Sequence, residues 1–215
     1  MKKLYDATMP ITSDMVIWPG ERKPQRQLDS IIKFDGSETS TLTLNSHTGT
    51  HIDAPRHFLS DNENSITDID LEKLIGPCHV FEIEDTESRL NNVITKQDIE
   101  KLNIQHPKVL FKTSNTKNNL LDKEDFEDTY ISIDIEAAHH LIKQDVHLVG
   151  IDYLSVENQN NTSQEVHKAF LQNNIVIIEG VYLKHIIAGE YFIMALPIPY
   201  VGSDGSPARV ILQDL

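Results

Sequence analysis

Val146-His-Leu-Val-Gly-Ile151, Thr162-Ser-Gln-Glu-Val-His-Lys-Ala-Phe-Leu-Gln172 and Ile175-Val-Ile-Ile-Glu179 follow one another in the chain, and their alternation decides the fold class. The first and last are short β-branched apolar runs of strand length. The middle one places Val166, Ala169 and Phe170 on one side of a helix, expected over 163–172, and opens with Thr162 and Glu165 at capping-box spacing. Strand 146–151, helix and strand 175–179 together predict a right-handed crossover between parallel strands. The class is therefore α/β or mixed α+β. Ligands of such sheets sit beyond the carboxyl ends of the strands, where Asp152 and Glu179 fall.

The same alternation extends in both directions. Cys78–Glu84 reads as a half-buried strand, and Val109–Thr113, Tyr130–Ile133, Tyr191–Leu196 and Ala208–Leu212 read as further strands. Thr95 with Asp98 opens a helix, and Asp134 caps another that runs through Ala137, Ala138, Leu141 and Ile142. No repeat, low-complexity tract or linker interrupts the 215 residues, so one domain over 1–215 is expected. The net charge of −14 opposes binding to nucleic acid or anionic membrane. Met1-Lys-Lys-Leu-Tyr-Asp6 lacks the apolar stretch of a signal peptide, and no run is long enough to span a bilayer. With a single cysteine, Cys78, the chain is expected in the reducing cytoplasm. Cys78 itself reads as a buried core residue rather than a nucleophile.

The chemistry concentrates in Thr41-Leu-Thr-Leu-Asn-Ser-His-Thr-Gly-Thr-His-Ile-Asp-Ala-Pro-Arg-His-Phe58. If this segment is extended, alternate residues share a face, and His47, Gly49, His51 and Asp53 lie on one side. Gly49 would leave room for an ion. A helix would align His47 with His51 but turn Asp53 away. Two imidazoles and a carboxylate suit zinc, manganese or iron, and three protein ligands leave a position for water. Beyond Pro55, His57 is either a further ligand or, as preferred here, a general acid/base.

His167 in the capped helix and Glu179 at a strand end each have ordinary surface explanations. They acquire a role if Asp53 bridges to a second ion, whose far side they would then supply. Trp18, within Val16-Ile-Trp-Pro-Gly20, is either a cap on the core or a platform for an aromatic substrate. His79, His106, His139, His140, His147 and His185 read as surface or structural residues.

The pattern His47-x-Gly-Thr-His-x-Asp-x-Pro-x-His57-Phe resembles the signature of the cyclase family of metal-dependent hydrolases, which includes bacterial kynurenine formamidases and isatin hydrolases. Trp18-Pro-Gly, Gly150-Ile-Asp-Tyr-Leu-Ser-Val and Gly202-Ser-Asp-Gly-Ser-Pro-Ala-Arg209 extend the resemblance over nearly the whole chain. It implies a barrel-like domain of swivelling β/β/α architecture in a homodimer or larger homo-oligomer. The resemblance also implies two zinc ions per subunit. His47, His51 and Asp53 would hold one, with Asp53 bridging to a second completed by His167 and Glu179. Manganese is the alternative metal. His57 matches the proton donor and acceptor, and Trp18 a substrate contact. Thr50 stands where the formamidases commonly carry a smaller residue, and Glu157–Ser163 replaces a proline-containing loop.

The expected activity is hydrolysis of a small aromatic amide, N-formyl-L-kynurenine first, within tryptophan catabolism. Opening of a cyclic amide on one manganese, as in isatin hydrolase, and a non-catalytic metal-binding role are the alternatives. No Gly-x-Ser-x-Gly elbow suggests a serine hydrolase.

Overall fold

The computed structural model describes residues 2–84 and 92–215. Met1, where the reading of the amino terminus begins, lies outside the described residues. The strands in chain order are β1 (Leu4–Asp6), β2 (Gln25–Ser30), β3 (Thr39–Thr43), β4 (His51–Asp53), β5 (Ile75–Glu82) and β6 (Val93–Ile94). They continue with β7 (Lys108–Lys112), β8 (Ser132–Ile133), β9 (Leu148–Ile151), β10 (Val176–Glu179), β11 (Gly189–Pro197) and β12 (Gly205–Asp214). The helices are α1 (Ile32–Asp35), α2 (Leu71–Leu74), α3 (Lys96–Glu100), α4 (Ser114–Lys117), α5 (Ile135–Lys143) and α6 (Glu165–Gln172).

Seven strands close into a barrel in the order β12-β11-β5-β7-β9-β10-β4, with β4 pairing back onto β12, while β1 lies further along the same edge of β12. β5, β7, β9 and β10 are mutually parallel, as the β9-α6-β10 reading predicted, and the remaining barrel pairings are antiparallel. Strand alternation sorts the apolar side chains into two cores. Val80, Leu110, Leu148 and Ile178 join Ile52, Ile193 and Val210 inside the barrel. Their neighbours Phe81, Val109, Phe111, Val149 and Ile177 point outward and pack under α3, α5 and α6, against Ile99, Leu141 and Phe170. A third cluster, built on Met15, Val16, Tyr130, Tyr153 and Leu154, supports Trp18 and Phe126. Cys78 belongs to the barrel interior, and burial pushes its thiol up to about 12, as an inert core residue requires.

Two local readings need correction. The predicted strand 130–133 shrinks to β8, which pairs with β6 away from the barrel, because Tyr130 is turned into the third cluster. The Thr162–Glu165 capping box does not form: α6 begins at Glu165 behind Gln164, which has φ 55°. The carboxylate of Glu157 caps the helix instead, accepting from the backbone N–H of Val166 at 3.2 Å and of His167 at 3.4 Å. A carboxylate beside the positive end of a helix is a stronger acceptor than a hydroxyl. At Thr95 the predicted box is present, with both reciprocal bonds to Asp98. No helix among the described residues is long and apolar enough to cross a membrane.

Candidate metal centre

The histidine segment is not one extended strand. After β3 the chain turns, with the side chain of Asn45 accepting from the His47 N–H at 2.9 Å and Thr48 N–H donating to the Asn45 carbonyl at 3.1 Å. This local bonding competes with a sheet ladder. Gly49 then adopts φ +66°, and only His51–Asp53 is strand. The glycine does not clear space for an ion, since a Cβ there would meet Met15 Cε at 3.2 Å. It permits the left-handed turn that swings His47 round to the ligand face of β4.

β4 lies antiparallel to β10 with His51 directly opposite Glu179. His51 and Asp53, two residues apart, point to the same side, while Ile52 between them enters the barrel core. His51 Nε2 stands 3.5 Å from Asp53 Oδ1 and 3.3 Å from Glu179 Oε2, and His47 Nδ1 stands 3.0 Å from the same Asp53 oxygen. From α6, His167 Nε2 reaches Glu179 Oε1 at 3.1 Å and Asp53 Oδ2 at 3.9 Å. All five predicted ligands are thus brought together. Among the described residues, two groups have ligand atoms within 4.8 Å of one another: His51, Asp53 and Glu179, and His47, Asp53 and His57. Asp53 is common to both.

Each imidazole has its outer nitrogen committed. His51 Nδ1 donates to the Gly49 carbonyl at 2.9 Å, so in the neutral ring Nε2 carries the lone pair. His167 Nδ1 bonds Glu157 Oε2 at 2.7 Å, and His47 Nε2 bonds Asp204 Oδ2 at 3.0 Å. Such outer partners orient metal-binding histidines. The inner atoms are left over: His51 Nε2 and both Asp53 oxygens are buried without a hydrogen-bond partner. Imidazole nitrogens and carboxylate oxygens that converge without hydrogen bonds of their own are a donor set that fits a divalent cation.

The electrostatics agree. Burial opposes charge on the imidazoles, yet the hydrogen bond to Asp204 and the close carboxylate of Asp53 raise His47 to about 9. Against the same burial, Asp53 and Glu179 raise His51, and Glu157 and Glu179 raise His167, each to about 10. Asp53 is buried, which favours its neutral form, but His47 and His51 hold it well below the usual carboxylate range. The site is a nest of carboxylates and imidazoles in which a metal, once bound, would take the place of the protons.

Above it opens a cavity of about 250 Å³ whose walls include Trp18, Glu21, His57, Phe58 and Gln159. Trp18 packs edge-on against Phe126 at 5.1 Å, as a cap on the core would, and also lines the cavity, where a platform for an aromatic substrate would have to stand. The turn Trp18-Pro-Gly-Glu21 closes through a 3.1 Å bond from Glu21 N–H to the Trp18 carbonyl, with Gly20 at φ +90°. His57 follows Pro55 on a 3-10 turn and stacks on His47 at 4.0 Å, with Nδ1 3.4 Å from Asp204 Oδ2. Burial lowers its pKa, keeping the imidazole neutral. His57 is also close enough to be a ligand, as the second group shows.

Sequence reading assigned no role to Asp204 or Glu157. Asp204 holds His47 from 157 positions away, and His47 lowers its pKa. Gly205 beside it is obligatory for space, since a Cβ would lie 2.6 Å from His47 Cε1. Glu157 is buried, bonded to His167 and to Asn161 Nδ2 at 2.7 Å. Asp204 had only its place in the Gly202–Arg209 motif as a signal, and Glu157 had none, since it opens the Glu157–Ser163 stretch that departs from the family.

The chain is 29% identical over 215 residues to the kynurenine formamidase of Bacillus anthracis, covering 99% of this chain and 98% of that one. It is 30% identical to the kynurenine formamidase of Bacillus thuringiensis (strain Al Hakam), covering 98% and 97%. A solved structure described as a "predicted metal-dependent hydrolase from Bacillus stearothermophilus" superposes with a TM-score of 0.82 at 34% identity over 100% of both chains. Isatin hydrolase A from Ralstonia solanacearum shares the fold, with a TM-score of 0.81 at 20% identity over 100% of this chain and 92% of that one. The Cyclase family model matches residues 5–158. The chain belongs to the Cyclase family of metal-dependent hydrolases.

Proposed function

We propose that residues 1–215 form one catalytic domain that hydrolyses the amide bond of a small aromatic substrate, N-formyl-L-kynurenine first, to L-kynurenine and formate. The observation that carries this reading is the set of inward-facing donor atoms at the foot of a cavity walled by the only tryptophan. His47, His51 and Asp53 would hold one zinc ion and Asp53, His167 and Glu179 a second, with manganese the alternative. A bound divalent metal supplies Lewis acidity, lowering the pKa of water and polarising a carbonyl. His57, neutral and with Nδ1 turned to Asp204, has Nε2 free to accept a proton from water and return it to the departing aniline nitrogen. Trp18 holds the ring, and Phe58 and Leu154 help exclude water. Water thus adds across the C–N bond, its hydroxyl going to formate and its proton to the amine. The reading carries with it a homo-oligomer, a cytoplasmic location and a place in tryptophan catabolism.

The shared fold of isatin hydrolase makes cyclic amide opening the second reading. Purified protein assayed with N-formylkynurenine and isatin in parallel separates them. Turnover of N-formylkynurenine in preference to isatin is expected; the reverse preference would replace the first reading with the second, and turnover of neither would sink both.

A further inference from the structure

Glu21 stands on the cavity wall outside both groups of candidate ligands. Three glutamates face this cavity. Glu179 is engaged with His51, His167 and the Val156 N–H, and Glu157 with His167, Asn161 and the start of α6. Glu21 makes no side-chain hydrogen bond or ion pair with any described residue, although it is half-buried. Burial pushes its carboxyl upward, while the imidazoles of His47 and His51 pull it down and Glu179 and Asp204 push it up. It therefore feels the metal centre without belonging to either group of candidate ligands.

Two further facts give this carboxylate a direction. The Trp18–Glu21 turn brings these two cavity-lining residues together, with the turn's ends within about 7 Å at the Cα atoms. An aromatic ligand against Trp18 would carry a short substituent toward Glu21. No lysine or arginine lines the cavity among the described residues, so an anionic substituent finds no partner there beyond the metal centre. A cationic one finds a partly desolvated carboxylate that lacks a partner and gains most from acquiring one.

We infer that Glu21 is a specificity residue that selects aromatic amides bearing a protonated amine a few atoms from the ring. This rests on the amide hydrolase reading for the reaction but not for its test. Substrates that carry the ammonium would be preferred to ones of the same shape in which a neutral group replaces it.

The test uses binding rather than turnover. Trp18 is the only tryptophan, so its fluorescence reports ligands in this cavity directly. Metal-loaded wild-type protein, Glu21→Gln and Glu21→Asp are titrated with 3-phenylpropylamine and with neutral 3-phenylpropanamide. Wild type should bind the amine about tenfold more tightly than the amide, the scale of one partly buried charge pair. The ratio should fall to near one in Glu21→Gln and recover in Glu21→Asp. A ratio near one in wild type, or a preference that survives in Glu21→Gln, overturns the inference. Amine selectivity in a protein that hydrolyses neither N-formylkynurenine nor isatin would leave the inference standing while removing the reaction assigned above.

Discussion

At the residue scale, the centre depends on carboxylates that are not themselves the inner ligands. Glu157 holds His167 by its Nδ1 and caps the helix that carries it, so one side chain sets both ring orientation and helix start. Glu157→Gln keeps the shape and removes the charge. It should weaken metal binding on the His167 side roughly 10- to 100-fold, read by competitive chelator titration, with metal on the His47 side retained. Equal affinity at both positions would make Glu157 only a helix cap. His57 sets the opposite expectation. His57→Ala should retain metal and lose about 10²–10⁴-fold in turnover, whereas Asp53→Ala should lose both. Metal analysis of purified His57→Ala decides, because metal depletion equal to that of Asp53→Ala would make His57 a ligand. The ligand types were legible in the sequence because Asp53 and three histidines fall within eleven residues. Asp204 and Glu21 were not, because their meaning comes from contacts across the fold and not from spacing.

At the element scale, what sequence reads well is periodicity and what it reads poorly is competition for hydrogen bonds. The β9-α6-β10 unit appears as expected because its apolar residues satisfy two cores at once. Two expectations lost to side chains: Asn45 replaced the extended approach to His51 with a turn, and Glu157 displaced Thr162 from the helix start. The β2–β3 hairpin raises a different matter. It forms its own two-stranded sheet, and Ile32, Phe34 and Leu42 on it are 65%, 77% and 62% exposed. A lone hairpin is marginal in water, and clustered exposed apolar groups mark a contact surface. This supports the proposed homo-oligomer. Light scattering should show Ile32→Asp with Phe34→Asp as a folded monomer under conditions where the wild type is a dimer or larger. An unchanged mass would place the interface elsewhere.

At the scale of the whole molecule, barrel closure and the candidate metal centre rest on the same strand. β4 seals the barrel between β10 and β12, and the same three residues, His51–Asp53, carry two of the candidate ligands. Metal removal should therefore weaken the fold as well as abolish activity. At a free metal concentration a thousandfold above Kd, binding contributes about 4 kcal/mol, or a rise in Tm on the order of 10 °C for a chain of this size. The pH dependence has a definite sign. Without metal, His47 is raised to about 9 and His51 and His167 to about 10, all above their ordinary 6.5. Their contribution is complete below about pH 6.5 and is lost as pH rises through 9 to 10. Chelator-stripped protein should lose Tm over that window in thermal scans, while metal-loaded protein gains relative stability as protons cease to compete. A stripped protein whose Tm is flat from pH 6.5 to 10 would mean these imidazoles are not paired as described.

The most direct test of the metal-dependent account is the rate of N-formylkynurenine hydrolysis by chelator-stripped protein as zinc is added back in known equivalents. The account predicts negligible hydrolysis without metal and a rise that saturates near two equivalents per chain. It also predicts no recovery at any zinc concentration in Asp53→Ala. Full hydrolysis by stripped protein, or restoration by zinc in Asp53→Ala, would contradict it.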